Sequence, residues 1–306
     1  MIKFEQPDIL FGFFLAFLGT ALFSLKSIFI KLAYAQGLDT NSVLMLRMAI
    51  SLPIYLVIIA FLLRKNNAPK REIKQNFLLI VFLGFIGYFL ASWLDLKGLE
   101  NISAGLERLT LFTYPIFVSI LGALFFNIPL NKKIIMTLFL TYLGLWIVFS
   151  QELGENMGNT RIGILLVIFS ALSYSFYVLL GKKVIHCIGS LWFTSLAMSI
   201  SSIFVLVYYA LFFDFNSLTI SYYAWIWIIL LAVISTVIPS FMISEAIAKI
   251  GSAQTGIVGT LGPIITIVLA IFILNEPFSI YHAIGISLVI SGVMLLTVKK
   301  KPHKLI

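Results

Sequence analysis

Residues 91–150 align with residues 239–298 at a constant offset of 148 and without a gap. Trp93 falls on Phe241, Pro115 on Pro263, Asn127 on Asn275, Pro129 on Pro277 and Gly144 on Gly292. The earlier part of each half aligns at an offset of 151, with Gly12 on Gly163, Ser24 on Ser175 and Lys31 on Lys182. Each half holds five long apolar runs. A chain that crosses a bilayer an odd number of times ends on the other side, so its second half must enter inverted. The sequence is therefore expected to build residues 1–150 and 151–306 as two inverted five-helix repeats of one integrated membrane domain.

Composition supports lipid as the solvent. Hydrophobic residues make up 61% of the 306 positions and charged residues 11%, against about 25% charged in soluble domains. Runs of roughly 20 apolar residues predict helices, placed near 9–33, 41–63, 76–96, 102–126, 132–150, 162–181, 190–213, 222–246, 252–274 and 279–298. The runs are continuous, not alternating, which argues against membrane strands and gives an all-α integral membrane fold. The longest polar stretch, Arg64 to Gln75, is expected to be a loop. Residues 9–25 mimic a signal-peptide core, but Glu5 and Asp8 beside Lys3, and the repeat itself, favour a retained span.

The basic residues orient the chain. With the N-terminus inside, the inner segments hold 15 of the 21 Lys and Arg, the outer loops hold Lys97 and Arg161, and Lys26, Lys31, Arg47 and Arg108 lie within spans. Both termini are thus expected in the cytoplasm, with the chain in the inner (plasma) membrane. The net charge of +9 reads as orientation and not as a nucleic-acid surface. A single cysteine, Cys187, excludes an internal disulfide, and three scattered histidines argue against a metal. No cofactor motif or nucleotide-binding loop is present. Tyr222, Tyr223, Trp225 and Trp227 read as an interfacial aromatic belt.

Two segments resemble a known family. Ile273-Leu274-Asn275-Glu276-Pro277-Phe278-Ser279, followed by Gly285 and Ser291-Gly292-Val293, is similar to the last two helices of EamA-domain proteins in the drug/metabolite transporter superfamily. Ile102-Ser103-Ala104-Gly105-Leu106-Glu107-Arg108-Leu109-Thr110-Leu111-Phe112-Thr113-Tyr114-Pro115 resembles their fourth helix. The resemblance implies ten helices, transport of a small molecule, and a central cavity among spans 3, 4, 8 and 9, with spans 1 and 6 beside it. Glu276 near the start of the last span suits the helix dipole, and Gly285 and Gly292 suit close helix packing.

Charges inside spans are costly and are the sharpest pointers to a site. Lys26, Arg47, Glu107 and Arg108 reach a similar depth below the outer surface, whereas their counterparts are Tyr177, Met198, Thr255 and Gly256. The scaffold is symmetric and the charge is not. Arg47 and Glu107 are expected to pair or to face substrate, and Lys26 and Lys31 to snorkel outward. The net excess over Glu107 is +2, which favours a carboxylate on the substrate. Arg47, Tyr88, Trp93, Glu107, Thr110, Tyr114, Ser235, Thr236 and Thr260 are the candidate substrate contacts, with Thr113, Ser240 and Thr266 as further hydroxyls. Pro115 and Pro263 are candidate hinges, since each removes a helix hydrogen bond at an equivalent position.

These features point to a secondary carrier working by alternating access. An enzyme would need convergent catalytic groups, and no His cluster, nucleophile elbow or carboxylate pair supplies them. The expected substrate is a small amphiphilic metabolite, an amino acid or a related compound, moved outward with a coupling proton or a counter-substrate. A multidrug or toxic-cation exporter is the alternative, and a membrane-embedded enzyme or a channel comes after it. Partners are the lipid bilayer and a small molecule; the oligomeric state is not legible.

Overall fold

The computed structural model describes residues 6–65, 69–126, 132–152, 157–215, 218–259 and 261–297, and no strand occurs among them. Helices α1 (Gln6–Ala35), α2 (Thr40–Arg64) and α3 (Lys70–Gly84) are followed by a π-helical stretch (Phe85–Leu90) that leads into α4 (Ala91–Leu99). Then come α5 (Ala104–Leu111), α6 (Tyr114–Phe126) and α7 (Lys132–Glu152). The second half has α8 (Met157–Ile188), α9 (Ser190–Phe212), α10 (Tyr222–Ala232), a second π-helical stretch (Val233–Val237), α11 (Ile238–Gly259), α12 (Leu261–Leu274) and α13 (Ile280–Thr297).

Among the described residues, seven helical runs are long and apolar enough to cross a bilayer: Ile9–Ala35, Thr40–Arg64, Lys70–Leu99, Ala104–Phe125, Gly158–Ile188, Ser190–Phe212 and Tyr222–Gly251. Leu261–Leu274 and Ile280–Gly292 are shorter apolar helices. Large apolar side chains cover the outside, with Leu78 82% and Phe272 79% exposed, as lipid contact requires. Two expectations are corrected. The Arg64–Gln75 stretch is not all loop, because α3 begins at Lys70. The sixth span is longer than 162–181, because polar residues at both ends continue the helix from Met157 to Ile188. Backbone hydrogen bonding extends a helix into the interface whatever the side chains' polarity, so hydropathy marks the apolar middle and misses the ends.

Both π-helical stretches begin at positions related by the repeat offset, Phe85 and Val233. A π turn inserts one extra residue and rotates the rest of the helix. It turns Tyr88 and its counterpart Thr236 toward the interior. A second relation also recurs. The Ser24 hydroxyl donates to the Gly262 carbonyl at 3.1 Å, and the Ser175 hydroxyl donates to the Tyr114 carbonyl at 2.9 Å. Each carbonyl directly precedes a proline, Pro263 or Pro115. The chain interrupts its helix at Phe112 and Thr113, so Pro115 sits in the first turn of α6, where a missing N–H costs least. Gly251 (φ 83°) breaks α11.

α1 packs on α11 and α12, α8 packs on α4 and α6, and α2 packs on α9. α7 lies along α13, where a Cβ on Gly144 would stand 2.6 Å from the Gly285 carbonyl oxygen, so the bare backbone allows the approach.

Candidate functional site

A cavity of about 220 Å³ lies where these helices converge. α1 contributes Thr20, Phe23, Ser24 and Lys26; α2 contributes Arg47; the first π stretch and α4 contribute Gly87, Tyr88, Ala91, Ser92 and Asp95. Arg108, Tyr114, Ser170, Tyr174, Thr236, Thr255 and Pro263 complete most of the wall. Charged and aromatic side chains share this wall. Tyr174 lies edge-on to Tyr88 and to Tyr114, with ring centroids 6.3 and 5.2 Å apart.

The charged groups are arranged differently from the sequence expectation. Lys26 does not snorkel outward: it is 8% exposed and its Nζ donates to Asp95 Oδ2 at 2.5 Å. A buried ammonium is tolerated only with an acceptor, and Asp95 supplies it. Arg47 does not bond Glu107. Glu107 Oε2 instead accepts the Ser27 hydroxyl at 2.5 Å. Arg108 Nη2 donates to the Phe23 carbonyl at 2.7 Å and to Ser27 Oγ at 3.3 Å. Arg47 is 2% exposed, and its Nε and Nη2 have no hydrogen-bond partner among the described residues. It is a buried guanidinium in a cavity wall with unused donors. Counting Asp95 lowers the formal excess of the cluster, three cations against two acids, from the expected +2 to +1.

Of the sequence candidates, Arg47, Tyr88, Tyr114 and Thr236 line the cavity, as does Pro263. Glu107 and Thr110 are fully buried beside the wall and do not form it. Trp93 points to α2, donating from Nε1 to Asn41 Oδ1 at 3.0 Å. Ser235 donates to the Leu231 carbonyl at 3.2 Å, and Ser240 meets the Tyr55 hydroxyl at 3.1 Å. Thr266 donates to the Ser24 carbonyl at 3.0 Å, and Thr113 to the Thr110 carbonyl at 2.8 Å. Pro115 comes just after the α5–α6 break. Thr260 lies outside the described residues, as do Asn127 and Pro129.

Sequence reasoning misses Asp95. It sits in the apolar run of the third span, where a carboxylate is as costly as any of the charges singled out, and Lys26 needs an acid at its depth. Ser170 and Tyr174, from α8, escape notice because hydroxyls in a membrane helix usually bond to the helix itself. Glu276 is also placed differently. Its two carboxylate oxygens accept the Ala104 and Gly105 amides at 2.7 and 3.2 Å, so it caps α5 and not its own helix.

A multi-pass helical membrane protein with a cavity between its two halves, and charged side chains in the cavity wall, has the build of a solute transporter. The chain belongs to the EamA-like transporter family, whose model matches residues 10–150 and again 161–298. It is 27% identical over 274 residues to the uncharacterized transporter YcbK of Bacillus subtilis (strain 168), covering 88% of this chain and 86% of YcbK. It is 23% identical to an uncharacterized transporter of Archaeoglobus fulgidus (strain ATCC 49558 / DSM 4304 / JCM 9628 / NBRC 100126 / VC-16), covering 91% and 93%. A crystal structure with a TM-score of 0.65 and 15% identity, covering 93% of this chain and 96% of that one, shares the fold. The chain is a membrane transporter.

Proposed function

We propose that the chain is a secondary carrier of ten spans in two inverted repeats. It exports a small amphiphilic metabolite, an amino acid or a related compound, across the inner membrane by alternating access. Both termini are cytoplasmic, and residues 1–150 and 151–306 move against each other about Pro115 and Pro263. The observation that carries this reading is Arg47. A guanidinium buried in a cavity wall with two unused donor atoms matches a carboxylate. The Tyr88, Tyr114 and Tyr174 rings in the same wall suit an apolar side chain. A volume of about 220 Å³ falls below the ~300–1,000 Å³ of drug-sized pockets, which favours a metabolite over a bulky toxin.

Counterflow in proteoliposomes tests the reading. Radiolabelled amino acids should exchange saturably, and their carboxamides should compete poorly. Removing one partner of a buried charge pair costs about 2–5 kcal/mol, so Arg47→Ala should weaken apparent affinity by about 30-fold or more. The tyrosine rings also suit a cation face. Transport of lipophilic cations, with no exchange of amino acids, would instead make the chain a multidrug exporter.

A further inference from the structure

Five ionisable side chains meet at the charged wall, yet among them only one cation touches an acid. Lys26 holds Asp95 Oδ2, while Arg108 is turned onto Phe23 and Ser27. Asp95 Oδ1 and Glu107 Oε1 are both buried and have no donor among the described residues. Consecutive residues of α1 hold the two carboxyls, Lys26 at Asp95 Oδ2 and Ser27 at Glu107 Oε2, which brings them together. Carboxylate oxygens only accept. With both acids ionised, two buried acceptors would be left unsatisfied, at about 1–3 kcal/mol each, and two like charges would be adjacent. A single proton on either acid supplies the missing donor to both.

Among the described residues no further charged group faces the pair. α1 presents Lys26 and Ser27, α2 presents Arg47, α4 presents Asp95, and Arg108 shares the helix of Glu107. α12 carries no acid or base. On α11, Glu245 and Lys249 pair with each other at 3.7 Å. On α8, Arg161, Lys182, Lys183 and His186 lie at the ends, and the charged residues of α7 are Lys132, Lys133 and Glu152, also at the ends.

We propose that Asp95 and Glu107 share one exchangeable proton, and that the carrier trades this proton against the ammonium group of its substrate. The second half of the proposal rests on the amino-acid reading above; the first does not. On substrate entry the carboxyl O–H bond breaks and the proton passes to cavity water on the open side. An ammonium N–H takes its place on Asp95, a residue of the cavity wall, while Glu107 is buried outside that wall. The substrate's carboxylate meanwhile binds Arg47. Proton and substrate then occupy the site by turns, which makes the carrier an antiporter.

Infrared difference spectroscopy of the wild-type protein in lipid tests the proton directly. A protonated-carboxyl band should be present at neutral pH and should shift on exchange into D2O. It should be missing from Glu107→Gln and kept by Glu72→Gln, a control outside the cavity. Absence of the band from the wild type overturns the proposal, whether or not the variant folds. The exchange is tested by adding a mixture of amino acids to the same preparation in weak buffer. The band should bleach as a proton is released. An unchanged band, in a preparation that shows amino-acid counterflow, overturns the antiport. Lack of counterflow with the band in place would count against the amino-acid reading and leave the shared proton standing.

Discussion

Lys26 on α1 and Asp95 on α4 form an ion pair at 2.5 Å with side chains only 10% and 2% exposed. The pair ties the first span to the third at the cavity wall, and neither member has a charged counterpart in the second half, where Tyr177 and Ile243 stand. Breaking a buried pair by removing one partner costs about 3–5 kcal/mol, because the other charge is left uncompensated. Lys26→Met and Asp95→Leu should therefore each lower thermal stability strongly. The double substitution should recover most of the loss, since it leaves no lone charge. Losses that simply add in a double-mutant cycle would contradict the pairing.

Much of the architecture is legible in the sequence because hydrophobic runs and repeat offsets are long-range averages that single residues do not disturb. The offset that aligns Pro115 with Pro263 also relates the two π-helical stretches, yet no residue in Phe85–Leu90 announces a π turn. An extra residue per turn arises from tertiary packing and leaves no periodic mark. The site is legible in part. Charge, depth and chemistry lead to Arg47, Tyr88, Tyr114 and Thr236. They do not lead to the pairing, because two adjacent residues such as Glu107 and Arg108 diverge on a helix and sequence does not fix their rotation. Glu276 shows the same limit. Its sequence position suggests its own helix, and only the fold carries its carboxylate to α5.

Glu276 joins the halves by accepting two amide N–H groups at the start of α5. Hydrogen bonds to a charged group contribute about 1.5–3 kcal/mol. Glu276→Ala should lower stability by roughly that amount, and Glu276→Gln, which keeps one acceptor, by less. Equal melting temperatures for the three proteins would contradict the cap.

Asp39 caps α2 outside the spans, accepting the Ser42 and Asn41 amides at 3.2 Å each. Burial pushes its carboxyl up, but the hydrogen bonds from Ser42 and Asn41 outweigh this and hold it below its ordinary 3.8. A lowered folded value means the stabilisation is complete above the ordinary value and is lost as the pH falls through the lowered one. Unfolding measured from neutral pH into acid should show this loss in the wild type and a flatter profile in Asp39→Asn. Identical profiles would remove the effect.

In the proposed topology, drawn from a bias of 15 basic residues inside against two outside, the α1–α2 connection is outside and the end of α2 inside. In a protein lacking Cys187, an impermeant thiol reagent added to whole cells should modify a cysteine at Gln36 and spare one at Lys65, both exposed positions. The reverse pattern would invert the topology.

The cavity beside Arg47 is the proposed path of the substrate, and Ser92 lines it from α4. In proteoliposomes carrying Ser92→Cys in a protein without Cys187, a small thiol reagent should abolish amino-acid counterflow, and substrate present during labelling should protect it. Complete labelling at this position with counterflow undiminished would contradict the account.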